Sequence, residues 1–369
     1  MRVLGLVCCG AALLIGGCAT QKQKKLDVAT LSTDDRAYYL NLVQEDLDRE
    51  QRIKSIAMPM LVASRDLCKD DLGVYTGMEV WSSLNLPDRR YSEILIDEHK
   101  LDLNLRVKSV YENSPAALAG VKFGDQLVSI ADMKLHPRKI EGKDYTRFDY
   151  MQTPPLEDWK DEGSYQLTVS RPSADGVYEE KKLTLNYQER CEYRVNYLFN
   201  TLTANASEDS DGFTFTSGLD YYLETDEHVA LMVAHEIAHM IEGHPGDRKA
   251  SGLAAGAGGL VAETLLGLLV GHTNGDITRA AYESGARANM DEHEIEADAL
   301  AMVIYARSGY DPETMVTFWQ DVSENLGANG SSIGASHRVN EQRLAALKDL
   351  AGDLRRKIDN GVDLVEGTE

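Results

Sequence analysis

The chain has 369 residues, 43% of them hydrophobic and 27% charged, with a formal net charge of −22. That length suffices for two domains, and the acidity argues against nucleic acid as a partner, because phosphate binding rests on basic patches. It also excludes electrostatic attraction to anionic lipid, so any hold on a membrane would have to come from an acyl anchor.

Residues 1–17 read as a targeting segment. Arg2 is its lone positive charge, Val3 to Ile15 is its apolar core, and Ile15-Gly16-Gly17-Cys18 has the small-residue ending of a bacterial lipoprotein signal. The apolar run is short for a membrane span. The expectation is therefore lipid on Cys18; an ordinary signal peptide or a short anchor is the alternative. Ala19 stands where an aspartate would argue for retention at the inner membrane, so similarity to such signals points to the outer membrane. Cys8 and Cys9 leave with the segment, and Cys68 and Cys191 remain. An even pair in an exported chain reads as a disulfide, against the alternative of two buried thiols.

A polar tether over 18–33 leads into a helical stretch over 34–68, where Tyr38, Tyr39, Leu42, Val43 and Leu47 supply helical spacing. From 69 to 190 the texture changes to short strands and turns. Alternation marks Leu103 to Val110, Gln166 to Val169 and Lys182 to Leu185. Within this region Asn113 to Ile130 reads as a strand, a short helix begun by Ser114-Pro115, a glycine stop at Gly120 and a Gly124-Asp125 turn into another strand. That run resembles a PDZ domain of bacterial envelope proteases. The resemblance would make Tyr75-Thr76-Gly77-Met78-Glu79-Val80 a carboxylate-binding loop and a peptide-accepting edge strand. The alternative is a small β domain that only packs, since residues 85–102 and 136–160 are longer than such a domain needs. Cys68 and Cys191 bracket this region, so a disulfide would pinch its two ends together.

Gly212 to Leu219 reads as one more strand. After it, Thr225 caps a helix with Asp226 and Glu227 at its positive end and an apolar stripe of Ala230, Val233, Ala234, Ile237 and Ala238. On that helix His235 and His239 stand at i and i+4, so both imidazoles reach one metal ion, with Glu236 beside them to take a proton from water. A histidine ten residues after the first would extend the motif to another zinc class, but that position is Pro245, and His244 is out of register. His244 reads as a structural residue at the helix end.

The glycine-rich run 251–271 is nearly long enough to span a membrane, but Glu263 near its middle argues against that. A lid or a membrane-skimming helix is the expected use. A second helix runs from about Asp291 to Arg307 and ends at Ser308-Gly309. It places Glu294 and Asp298 on one face, the former as third ligand and the latter to fix the tautomer of a ligand histidine. His337 and Arg343 follow in Ser336-His337-Arg338-Val339-Asn340-Glu341-Gln342-Arg343.

Together these elements resemble the HtpX-like and CaaX-prenyl-protease-like zinc metallopeptidases of the gluzincin class, matched by His235 to His239, Glu294 to Asp298, and His337 with Arg343. Arg338 departs from the proline usual in those proteins. The resemblance covers roughly residues 190–350. It implies an α+β fold: a mainly helical zincin-type metalloprotease domain over 191–360 and part of 34–68, a PDZ-like insert over 69–190, and a tail over 361–369. It implies one Zn²⁺ per chain on His235, His239 and Glu294, with Glu236 as base, His337 stabilising the oxyanion and Arg343 positioning that histidine. In gluzincin-like proteases the strand before the metal helix is an edge that pairs with substrate, which here would use Phe213, Thr214 and Phe215; a plain core strand is the alternative. The substrates would be proteins of the cell envelope. The rival class is an envelope chaperone or assembly factor whose zinc is blocked by His337 until a client displaces it.

Overall fold

The computed structural model describes residues 28–68, 71–86, 92–131, 133–135, 138–140, 143–145, 160–173, 175, 177–199, 201, 205–209, 211–246, 290–325, 337 and 339–361. The expected targeting segment with Cys18, the expected tether up to residue 27, the run 251–271, the stretch 327–334 before His337 and the tail beyond 361 lie outside them.

Helix α1 (Thr33–Ala63) begins where Ser32 accepts a hydrogen bond from the Asp35 amide at 3.1 Å. Its inward stripe is Val43, Leu47, Glu50, Ile53, Ala57 and Leu61. Tyr38, which helped to suggest the helix, is 60% exposed. A glutamate holds a stripe position because two lysines neutralise it, Lys54 at 2.6 Å and Lys108 at 2.6 Å.

After α1 the chain enters strands β1 (Leu72–Val74) and β2 (Met78–Trp81), helix α2 (Ser92–Glu98), strand β3 (Arg106–Val110) and helix α3 (Pro115–Ala119). Strands β4 (Gln126–Ile130), β5 (Met133–Lys134), β6 (Arg138–Ile140), β7 (Lys143–Tyr145), β8 (Ser164–Pro172), β9 (Tyr178–Asn186) and β10 (Glu189–Cys191) follow. The main sheet runs β2-β3-β4-β8-β9, with β5 paired to β4, so β2 is an end strand. Its residues close over a core of their own that includes Leu105, Val107, Leu127, Ile130, Leu167, Val169 and Leu185. Ser114 caps α3 and Gly120 ends it at φ 81°, as the sequence suggested.

The two ends of this unit meet. Strand β1 pairs antiparallel with β10, placing Leu72 opposite Cys191. Cys68 and Cys191 are joined by a disulfide across a separation of 123 residues. In the chain-entropy account, a crosslink closing so long a loop contributes up to about 4–5 kcal/mol, and measured values are often lower. A small cluster of Val43, Leu47, Trp81, Leu95 and Leu101 docks the unit on α1. Beside it lies a square of alternating charge, in which Glu79 of β2 reaches Lys54 at 2.7 Å and Lys108 at 3.4 Å, opposite Glu50. Burial opposes ionisation of Glu79, but the two lysines hold its carboxyl below the usual range.

The remaining chain builds the larger core. Strands β11 (Arg194–Leu198), β12 (Ala206–Asp209) and β13 (Gly212–Thr216) form a sheet in the order β11-β13-β12. Helices α4 (Ser217–Tyr222), α5 (Asp226–Glu242), α6 (Met290–Arg307), α7 (Pro312–Asn325) and α8 (Glu341–Asp359) follow. The architecture is mixed α+β, as expected. Two local expectations change. The strand expected over Gly212 to Leu219 stops at Thr216, whose hydroxyl accepts from the Leu219 amide at 3.2 Å and caps α4. Helix α5 is not merely striped, since every residue from Val229 to Met240 is buried. It is the centre of the core, packed by α1, α6, α7 and the β12–β13 sheet. Among the described residues no helix is long and apolar enough to cross a membrane.

Candidate metal centre

Helix α5 starts at Thr225, whose hydroxyl accepts from the His228 amide at 3.2 Å, and ends at Gly243 in the left-handed conformation, φ 78°. Between these caps the helical repeat puts His235 and His239 one turn apart, with their Nε2 atoms 3.0 Å from each other. Helix α6 brings Glu294, whose Oε2 lies 3.3 Å from His235 Nε2 and whose Oε1 lies 3.3 Å from His239 Nε2. His337 completes the group, its Nδ1 3.1 Å from His235 Nε2 and 3.2 Å from Glu294 Oε2. All four side chains are buried, and one ligand atom from each lies within 4.8 Å of the others.

Two observations show that these residues fit a zinc ion. A tetrahedral site with metal–ligand distances of about 2.0–2.1 Å has ligand–ligand edges of roughly 3.3–3.4 Å, close to the separations here. The donor chemistry agrees. Asp298 Oδ1 stands 3.1 Å from His235 Nδ1, and a ring proton on that side would leave a lone pair on Nε2 for a metal. That lone pair would face a carboxylate oxygen in a dry interior, an arrangement that a shared cation makes favourable.

Glu236 is fully buried, and neither of its oxygens has a hydrogen-bond partner among the described residues. Its Oε1 is 3.3 Å from His337 Nε2, which is misaligned for a hydrogen bond. A fully buried carboxylate that makes no aligned hydrogen bond, and whose near neighbour is the His337 ring, is rare enough to mark a working position. Burial opposes ionisation of Glu294, and the surrounding His337, His235 and His239 rings overcome it, leaving the carboxyl well below the usual range. His337 experiences the converse: burial resists its charge, Glu294 and Glu236 favour it, and its value is pushed up to about 10.

Behind the ligands, Arg343 of α8 clamps Asp298 through Nε at 2.6 Å and Nη2 at 2.9 Å. Its Nη1 reaches Glu294 Oε2 at 3.0 Å, and its guanidinium lies 4.1 Å from the centre of the Trp319 ring. This alters the role expected of Arg343. Its ion pairs orient the two acids of α6, through Asp298 the ring of His235, and through Glu294 Oε2 a group that His337 also contacts. Asn340 explains the placement, since it caps α8 by accepting from the Arg343 amide at 2.8 Å.

The edge-strand expectation for Phe213, Thr214 and Phe215 is corrected. Strand β13 is bonded on both sides, parallel to β11 and antiparallel to β12, and both phenylalanines are fully buried. Strand order is a long-range property, and one strand's own residues do not disclose it. The strand at the end of this sheet near the centre is β12, whose Ala206 carbonyl is 3.4 Å from His337 Nε2.

Sequence reasoning missed Trp319, which seals the clamp, and understated His244. The latter is 2% exposed, with Nδ1 2.8 Å from His239 Nδ1. The signal for it was Gly243, which lets the chain turn back under the helix.

The fold and the donor set define a buried cluster that could hold a metal ion, with a His-Glu-x-x-His pair of histidines on one helix and a carboxylate from a second. Residues 197–351, which contain the whole centre, match the model of Peptidase family M48. The chain is 26% identical over 147 residues to the Beta-barrel assembly-enhancing protease of Escherichia coli (strain K12), covering 38% of this chain and 30% of that protein. With the protein of the same name from Yersinia pestis it shares 23% identity over 221 residues, 52% of this chain and 44% of the relative. The chain thus spans less than half the length of the curated relatives it matches.

Proposed function

We propose that this protein is a zinc-dependent endopeptidase acting on proteins of the bacterial cell envelope. The observation that carries the reading is the convergence of His235, His239 and Glu294 beside a buried Glu236 whose oxygens make no aligned hydrogen bond among the described residues. When bound, zinc would supply a Lewis acid that polarises a scissile carbonyl and eases ionisation of water. Glu236 Oε1 or Oε2 takes the proton from the attacking water and returns it to the departing amine nitrogen. Asp298, held by Arg343, keeps the His235 ring in the tautomer that leaves Nε2 free.

His337 stands in the fourth position, so the resting arrangement favours a latent form of the same enzyme, opened when the histidine moves aside. In the open form it would serve the oxyanion. Chelation of the purified protein is expected to abolish cleavage of an unfolded envelope protein, and stoichiometric zinc to restore it. His337→Ala should at the same time raise self-cleavage or cut the chemical rate by about 10²–10³. Cleavage that persists after complete metal removal would end the proposal.

The insert around β2 supports a peptide-binding use of the PDZ kind. Strand β2 ends its sheet, and the preceding loop turns at Gly77, φ 74°, where a Cβ would fall 1.9 Å from Ser114 Cβ. Gly77, Met78, Glu79 and Val80 would then receive a peptide's C-terminal residues as an added strand. Fluorescence anisotropy with labelled C-terminal peptides should show binding that C-terminal amidation removes; equal binding of the amidated peptide would refute it. Lipid on Cys18 would hold the chain at the membrane, most simply the outer one. Cys18→Ser should release the protein to the soluble fraction, and continued sedimentation with membranes would exclude that anchor.

A further inference from the structure

We infer that His244 is a positioning residue for the ligand His239, joined to it by a hydrogen bond and steadied from the surface by Glu296. The inference rests on the metal-binding part of the reading above and not on peptidase activity. The two ligand histidines are supported differently. The outer nitrogen of His235 faces the carboxylate of Asp298 at 3.1 Å. The outer nitrogen of His239 faces an imidazole instead, His244 Nδ1 at 2.8 Å.

With a metal on His239 Nε2, the hydrogen placement along this chain follows. His239 Nε2 faces Glu294 and the other ligand atoms, so its lone pair belongs there and its proton sits on Nδ1. That N–H donates to Nδ1 of His244, which places the His244 proton on Nε2. His244 Nε2 in turn lies 3.2 Å from Glu296 Oε2, an acceptor whose side chain is 54% exposed. Each group therefore donates outward, from the buried ligand to solvent. The ring plane is set as well, because His293 of α6 stacks on His244 with centroids 4.2 Å apart and planes 8° from parallel. Gly243 makes the geometry possible: its left-handed turn ends α5 and returns residue 244 beneath residue 239.

Partners of this kind fix a ligand's tautomer and raise its basicity, and their loss costs about 10–100-fold in metal affinity. The test is zinc affinity of the full chain, read by competition with a chromophoric chelator, together with the visible spectrum of the cobalt-substituted protein. His244→Ala should weaken zinc by about 10–100-fold and shift the cobalt bands. His244→Asn, which returns an acceptor oxygen near the Nδ1 position, should recover most of the loss. A folded His244→Ala protein within about twofold of wild type would overturn the inference. So would a folded asparagine variant as weak as the alanine one, since stacking on His293 alone would then explain both. Should the alanine variant fail to fold, the asparagine variant decides: near-wild-type zinc supports the role, and a tenfold loss removes it. These readouts separate the two readings. A wild-type chain that binds zinc through His239 and cleaves nothing ends the peptidase proposal and leaves this one standing.

Discussion

Replacing Glu236 by glutamine is expected to slow peptide-bond cleavage by at least about a hundredfold while zinc content and fold stay as they are. Glutamine has the size and shape of the side chain it replaces, so the fully buried position stays filled. No aligned hydrogen bond is broken among the described residues, and the charge lost opposite His337, 3.3 Å away, is the one interaction removed besides the base itself. What disappears is the ability to accept a proton from water and deliver it to the leaving nitrogen. A positioned base of this kind contributes typically about 10²–10⁴ in rate. Initial rates on an unfolded protein substrate, zinc by elemental analysis and far-ultraviolet circular dichroism on one preparation check all parts together. Normal turnover in the variant would dismiss Glu236 as base and with it the mechanism.

Glu294→Ala should yield a folded protein without stoichiometric zinc. Its carboxylate touches both imidazoles at 3.3 Å and faces His337 at 3.2 Å, so its removal takes away the only acid among the four converging groups. The imidazoles of His235, His239 and His337 remain, but Arg343 has lost one of its counter-charges, and its guanidinium then opposes a second cation at the site. The other acids of α6 do not substitute. Asp298 is held by Arg343 on the far side of the His235 ring, and Glu296 points outward to His244. Zinc held as tightly as in the wild type, in this variant and in one that also carries His337→Ala, would show that the third ligand had been misassigned.

The chemistry at the centre was legible because it is local. Helical repeat alone puts His235 over His239 and Glu294 over Asp298, and a cap at Thr225 and a stop at Ser308-Gly309 bound those helices in the sequence itself. Bracketing of the β-rich unit by Cys68 and Cys191 was legible for a similar reason, since they are the two cysteines beyond Cys18. What depended on distant partners was not. The neighbours of β13 are set by the order in which strands assemble, and a run such as Phe213-Thr214-Phe215 reads alike at an edge or in the middle. Arg343 could be matched with His337 by spacing, yet its partners come from α6 and α7, which only the packing of α8 brings near. His244 failed a register test written for another zinc class, and a one-residue mismatch hid a contact made through a turn at Gly243.

The order in which the centre's parts occur along the chain has a consequence for timing. A ribosome delivers His235 and His239 well before Glu294, and His337 and Arg343 come later still, the arginine in the first turn of α8. A nascent or clipped copy that stops short of this helix already displays the His-Glu-x-x-His pentapeptide. It lacks the guanidinium that offsets Asp298 and Glu294, both of which are buried in the finished molecule. Until that charge arrives, closing the core around the two acids is unfavourable, and half-made copies are kept from holding a finished centre.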